Sequence, residues 1–191
     1  MKRFIIKSDR IGFSIWEETD LKEALELWGN SNVTKYITAD GKMSIEDVKT
    51  RLKVEIEFYE KYKVQYWPIF LNETSENLGV CGLHPYNIKD SVFELGVHLR
   101  EKYWGIGVAE KACNLVMRYA FENLQAKAIF VGHNPNNKAS KKLIKKLGFT
   151  YTHDEFYEPT GLYHPSYLIT CNEFIEVKNK LKGGKIIGKN K

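Results

Sequence analysis

Three cysteines in 191 residues are too few and too scattered to frame a fold. Cys81, Cys113 and Cys171 are odd in number and set among apolar neighbours, which suits reduced, partly buried thiols and argues against a disulfide lattice or a cysteine metal site. No metal is expected. The chain also lacks the run of about eighteen apolar residues that a membrane span needs, and its opening apolar segment is too short for a secretory signal. A cytoplasmic protein without a membrane partner is the expectation. No internal repeat is present. An excess of charge is missing from most of the chain as well: the formal net charge is +5, but six lysines after Ile175 stand against Glu176 alone, so residues 1–174 are neutral. A neutral body with a basic tail does not read as a nucleic-acid domain, and a nucleic-acid partner is not expected.

What is present is core material. A composition 43% hydrophobic and 13% aromatic fills one globular core at this length. Residues 1–174 are read as a single domain and 175–191 as a basic, unstructured, flexible tail.

Along the chain, Ile11 to Trp16 reads as a short strand, followed by a helix with Leu21, Ala24, Leu25 and Trp28 on one face. Asn30 to Lys42 is a polar connection. Ser44 to Tyr62 reads as a second amphipathic helix with Ser44 and Asp47 in capping-box spacing and Ile45, Val48, Leu52, Ile56 and Tyr59 on its apolar face. Three strands then form a meander: Gln65 to Leu71, Leu78 to Leu83 and Ser91 to Leu99. In the last, alternation puts Phe93, Leu95, Val97 and Leu99 on one face and Val92, Glu94, Gly96 and His98 on the other. Gly96 leaves open space beside two ionisable side chains, room that a ligand could take. A helix to about Asn123, a strand from Lys127 to Val131, a short helix from Asn137 to Lys146 and two strands, Phe149 to Tyr157 and Ser166 to Asn172, complete the chain. The strand–helix–strand crossover implies parallel pairing in part of the sheet.

The chemistry collects at Lys102-Tyr-Trp-Gly105-Ile-Gly107, where a strand turns into a helix. Gly105 and Gly107 allow a tight turn that aims backbone N–H groups outward, at a helix start that already favours anions. Most Gly-x-Gly turns only bend a chain, so the turn needs support from elsewhere. Support comes from Asn137-Lys-Ala-Ser140 followed by Lys146-Leu-Gly-Phe149. The two motifs in this order resemble the GNAT family of acyl-CoA-dependent N-acetyltransferases, in its RimJ/RimL-type branch, over residues 9–173.

The resemblance implies a mixed α/β fold: a central, mostly antiparallel sheet of about seven strands flanked by about four helices and splayed at the acetyl-CoA site. It implies acetyl-CoA as co-substrate. The pyrophosphate would meet the amides of Trp104, Gly105, Ile106, Gly107, Val108 and Ala109. Lys102 stands where the family usually has Arg or Gln and keeps a cation without the planar fork. Freed backbone at Val97 and Leu99 would pair with the pantetheine arm and polarise the thioester. Asn134 and Asn137 correspond to polar contacts with the pantetheine and helix start, although Asn137 serves equally as a plain N-cap. Lys138, Lys141, Lys142, Lys145 and Lys146 make a solvated face from which one or two could reach a 3′-phosphate.

Acetyl transfer needs a proton acceptor for the amine and a donor for the thiolate. Glu94 is the first candidate base and His98 the second, each with an ordinary packing role as the alternative. The tyrosine that many family members use as acid is Ile144 here, and Ser140 takes the corresponding place in this branch, as a weak donor or a helix-end cap. Tyr36, Trp67, Tyr86, Tyr157, Tyr163 and His164 are candidate pocket walls. The resemblance implies an amine acceptor, a protein N-terminus or a small molecule, and admits a homodimer. A catalytically silent acyl-CoA sensor is the rival reading.

Overall fold

The computed structural model describes residues 3–183. One sheet of eight strands forms its centre: β1 (Ile6–Lys7), β2 (Ile11–Phe13), β3 (Tyr66–Leu71), β4 (Asn77–Asn87), β5 (Val92–Leu99), β6 (Ala128–Gly132), β7 (Thr150–Tyr157) and β8 (Leu162–Thr170). Their spatial order is β1-β2-β3-β4-β5-β6-β8-β7. Every pairing is antiparallel except β5 with β6. That exception follows from the crossover through helix α4 (Val108–Glu122), whose length carries the chain back to the same end of the sheet.

Helices cover both faces. On one, α1 (Leu21–Trp28) and α3 (Ile45–Tyr62) enclose Trp16, Ala24, Leu27, Trp28, Val48, Leu52, Tyr66 and Val80. On the other, α4 and α5 (Lys138–Leu147) pack Ala112, Cys113, Val116, Met117, Ile144 and Leu147 onto Trp67, Ile69, Leu83, Leu95 and Ile129. The alternation in β5 connects the two: Leu95 and Leu99 enter the larger core, while Glu94 and His98 face α1 and α3. The capping box at Ser44 and Asp47 is present, with Asp47 N–H donating to Ser44 Oγ at 3.2 Å. Ile45 is 61% exposed, because the first helical residue precedes the buried stripe.

The counts differ from about seven strands and four helices. β1 is two residues long, too short for any periodicity to announce it. One turn of helix, α2 (Ser31–Thr34), is capped by the Asn30 side chain inside the stretch read as a connection. β4 runs four residues past Leu83, through Pro85, because β3 pairs only as far as Gly82 and the proline leaves no ladder bond unmade on that side. The unstructured tail expected from residue 175 is helical up to residue 183, in α6 (Cys171–Gly183). Phe174 packs on Phe121 at 5.2 Å and Val177 lies against Gly148, so i, i+3 apolar spacing gives the lysine-rich segment a face to bury. Residues 184–191 of that tail lie outside the described residues. None of the described helices is long and apolar enough to cross a membrane.

Candidate active site

The sheet parts where the site begins. β5 pairs with β6 only from Val92 to Glu94, opposite Ala128 to Phe130. On its other edge β5 stays paired with β4, and the Arg100 N–H donates to Leu78 O at 3.0 Å. Since successive backbone groups alternate, Val97 and Leu99 turn their N–H groups towards the edge that β6 has left. The Leu99 carbonyl is taken by the Trp104 indole N–H at 2.7 Å, which locks strand to turn.

At the turn, Gly105 and Gly107 have φ of 75° and 84°, left-handed conformations that glycine holds without strain. A Cβ on either would meet nothing within 4 Å, so the space in front of both is open. Among the described residues, the N–H groups of Gly105, Ile106, Gly107, Val108 and Ala109 have no protein acceptor, and they surround the start of α4. Trp104 differs from the expectation: its N–H closes a turn onto Glu101 O at 2.9 Å and is not free for an anion. Lys102 is ion-paired with Glu76 and exposed.

Across the sheet, Glu94 and His84 sit opposite each other on β5 and β4. Glu94 makes no hydrogen bond with another described residue, and burial raises its carboxyl above the usual range, with Glu155 and Glu55 adding to the rise against His84 and Arg51. His98 behaves differently. Its Nδ1 accepts from the Trp28 indole at 3.1 Å, and burial, reinforced by Arg51, lowers its pKa to about 3. It is a neutral acceptor held by the packing of α1. The open space expected at Gly96 is occupied, because the Tyr66 ring tip lies directly over it.

Beneath these residues is a network that sequence reading missed. Glu55, fully buried on α3, accepts from Arg51 Nε at 2.8 Å, from the Tyr66 N–H at 2.7 Å and contacts His84 Nε2 at 2.9 Å. Burial works against its charge, but Arg51 and then His84 outweigh burial and hold its carboxyl low. His84 stacks on Tyr66 at 3.7 Å. The available signal was the period of α3: Arg51 and Glu55 flank Leu52 on its apolar stripe, an unusual place for charge.

Downstream of β6, the Asn137 side chain accepts from the Ser140 N–H at 3.0 Å and caps α5, the plain structural role. Asn134 is buried; its Oδ1 accepts from the Asn136 N–H at 3.0 Å, and its Nδ2 has no partner among the described residues. The Ser140 hydroxyl is partly buried and donates to no described residue, whereas Ile144 is core. Trp67 is core too, edge-on to Tyr119 at 5.5 Å, and walls no pocket. Tyr86 stacks on Phe130 at 4.0 Å, and Tyr157, its pKa raised by burial first, is influenced by Glu94 and Arg51.

Comparison with known proteins agrees with this geometry. The sequence profile of the acetyltransferase (GNAT) domain matches residues 10–150. The chain is 26% identical over 145 residues to YoaA of Bacillus subtilis, described as an uncharacterized N-acetyltransferase, covering 76% of this chain and 82% of that protein. Its fold is similar to that of a GNAT-family acetyltransferase from Bacillus anthracis, with TM-score 0.74, 22% identity and coverage of 88% and 98%. It is similar too to RimL, a ribosomal L7/L12 alpha-N-protein acetyltransferase, with TM-score 0.74, 15% identity and coverage of 89% and 95%. The chain therefore belongs to the GNAT family and is an N-acetyltransferase, in a family whose acyl donor is acetyl-CoA.

Proposed function

We propose that the protein transfers an acetyl group from acetyl-CoA to a primary amine by direct attack within a ternary complex. The observation that carries this reading is the continuity of free backbone donors, from the open edge of β5 at Val97 and Leu99 to the five free amides after Trp104. The amides of Gly105 to Ala109 would hold the pyrophosphate, and the N–H groups of Val97 and Leu99 would hold the pantetheine and polarise the carbonyl. Acetyl-CoA supplies an activated thioester. Glu94 takes the proton that the amine gives up, a role suited to a carboxylate whose proton affinity burial has raised. The amine nitrogen's lone pair then forms the C–N bond as the C–S bond breaks and the thiolate leaves. Ser140 is the nearest counterpart of the missing tyrosine for returning a proton to sulfur; Asn134 offers its free amide to the arm. Holding both reactants together supplies much of the acceleration by itself.

Ile144 in place of an acid favours one other reading, an acyl-CoA sensor without turnover. Thiol release from acetyl-CoA in the presence of a panel of primary amines separates them. Amine-dependent release, with coenzyme A binding by calorimetry abolished in Gly105→Glu, is expected. Binding without release on any amine would leave the sensor; no binding, or binding unchanged in that variant, would remove both.

A further inference from the structure

Arg51 projects from α3 onto the acceptor face with its guanidinium held on three sides. Its Nε donates to Glu55 at 2.8 Å, and Cζ lies 5.4 Å from the Trp28 ring and 5.2 Å from the Tyr66 ring. The side chain is 19% exposed. Its terminal nitrogens, Nη1 and Nη2, donate to no described residue, yet neither is among the buried polar atoms sealed away without a partner. They open onto solvent. Arg100 shows the contrast: Nη1 binds Glu26 at 2.8 Å while Nε and Nη2 are closed off, leaving no room for a guest.

Glu55 does not account for that free edge. The carboxylate already receives the Tyr66 N–H and contacts His84 Nε2, and it uses only one of the five donors of Arg51. What remains is a flat, two-nitrogen edge, preorganised between aromatic faces, the geometry that a carboxylate matches with two parallel hydrogen bonds. His84 stands opposite Glu94 on the β4–β5 ladder, stacks on the Tyr66 ring that flanks Arg51 and contacts Glu55, so the edge and the candidate base lie on the same side of the sheet around one ring.

We propose that Arg51 forms a carboxylate subsite, and that the acceptor is an aminocarboxylate, a free amino acid or short-chain relative, whose amine reaches Glu94 while its carboxylate lies on the Arg51 edge. A protein N-terminus offers a neutral amide where this subsite asks for an anion. The inference rests on the N-acetyltransferase reading above and narrows its substrate.

The test compares acetylation of the twenty free amino acids and a series of ω-amino acids with that of their primary amides, at saturating acetyl-CoA, by thiol release and by product mass. The carboxylate-bearing member of the best pair is expected to have kcat/KM at least about tenfold higher, the worth of one charge-assisted contact. In Arg51→Gln, KM for the acid should rise at least about tenfold, with the amide changed less than about threefold and coenzyme A binding retained. If removing the buried cation unfolds the chain, the acid-to-amide ratio of the unaltered protein decides alone. Amides or amino-terminal peptides acetylated as well as the free acids would overturn the subsite and leave the transferase reading standing. Coenzyme A binding with no amine acetylated would instead overturn the transferase reading, and the subsite with it.

Discussion

The phenol of Tyr66 rests on Gly96: a Cβ at residue 96 would stand 2.1 Å from Tyr66 Cζ and 2.3 Å from its oxygen. The glycine thus makes room for a neighbouring side chain on β3. That ring in turn bears His84 on its face and lies beside Arg51, so anything that moves it moves the residues of the proposed acceptor side.

Gly96→Ala should therefore cost about 1–3 kcal/mol by overpacking, measurable by chemical denaturation, and lower kcat/KM at least about tenfold. Tyr66→Leu in the same background should recover part of the stability. Recovery absent from a double-mutant cycle would mean that the two residues do not share this space.

As the proposed base, Glu94 should set the pH dependence of activity. Because burial raises its carboxyl, the acidic limb of kcat/KM should lie above the usual glutamate range, and Glu94→Gln should remove it with a loss of about a hundred-fold or more. The sign for stability is the reverse of a salt-bridged acid. The folded state holds this proton more tightly than the unfolded chain, so ionisation costs stability as pH rises. Glu94→Gln should match the parent in melting temperature at low pH and exceed it at alkaline pH.

His98 acts in the opposite direction. With a folded pKa of about 3 against an ordinary 6.5, the unfolded chain binds its proton first, so stability should fall as pH drops below about 6.5 and go on falling towards 3. His98→Gln should flatten that slope in thermal melts. The imidazole resonances should not titrate between pH 8 and 5.

At the turn, Gly107→Ala should cost only about 1–2 kcal/mol of backbone strain, since its Cβ meets no protein atom. Coenzyme A affinity should nonetheless fall at least about tenfold, because the methyl group projects into the space before the free amides. Calorimetry beside a thermal melt separates the two effects.

The thiols of Cys81 and Cys113 lie 3.8 Å apart in the core, and burial raises Cys81 well above the usual thiol range. Cys171 is partly exposed. Alkylation of the native protein should label Cys171 first, with the other two reacting at the rate of unfolding.

Much of this was legible from the chain, and the reasons differ by element. The caps at Ser44 and Asn137 were readable because they are local: the side chain bonds an amide three residues on. The faces of β5 followed from alternation alone. Tyr66 over Gly96 was not readable, since it joins residues thirty positions apart on strands that are not neighbours in the sheet. Nor was the fate of Trp104: a Gly-x-Gly motif marks a turn, but which amide the turn consumes depends on Glu101 folding back beneath it. His84 escaped notice because Pro85 made the strand seem finished at Leu83.

Among the described residues, the three residue pairs between β5 and β6 are the sole backbone ladder joining the five strands before α4 to the three after it. Mechanically the molecule is a hinged pair of plates with a short seam, braced by helix packing. An acyl donor lying in the gap beyond Glu94 would act as a rivet as well as a reagent. Occupancy should then slow amide hydrogen exchange not only in β5 and β6, which border the gap, but also in β8, which pairs with β6 away from it.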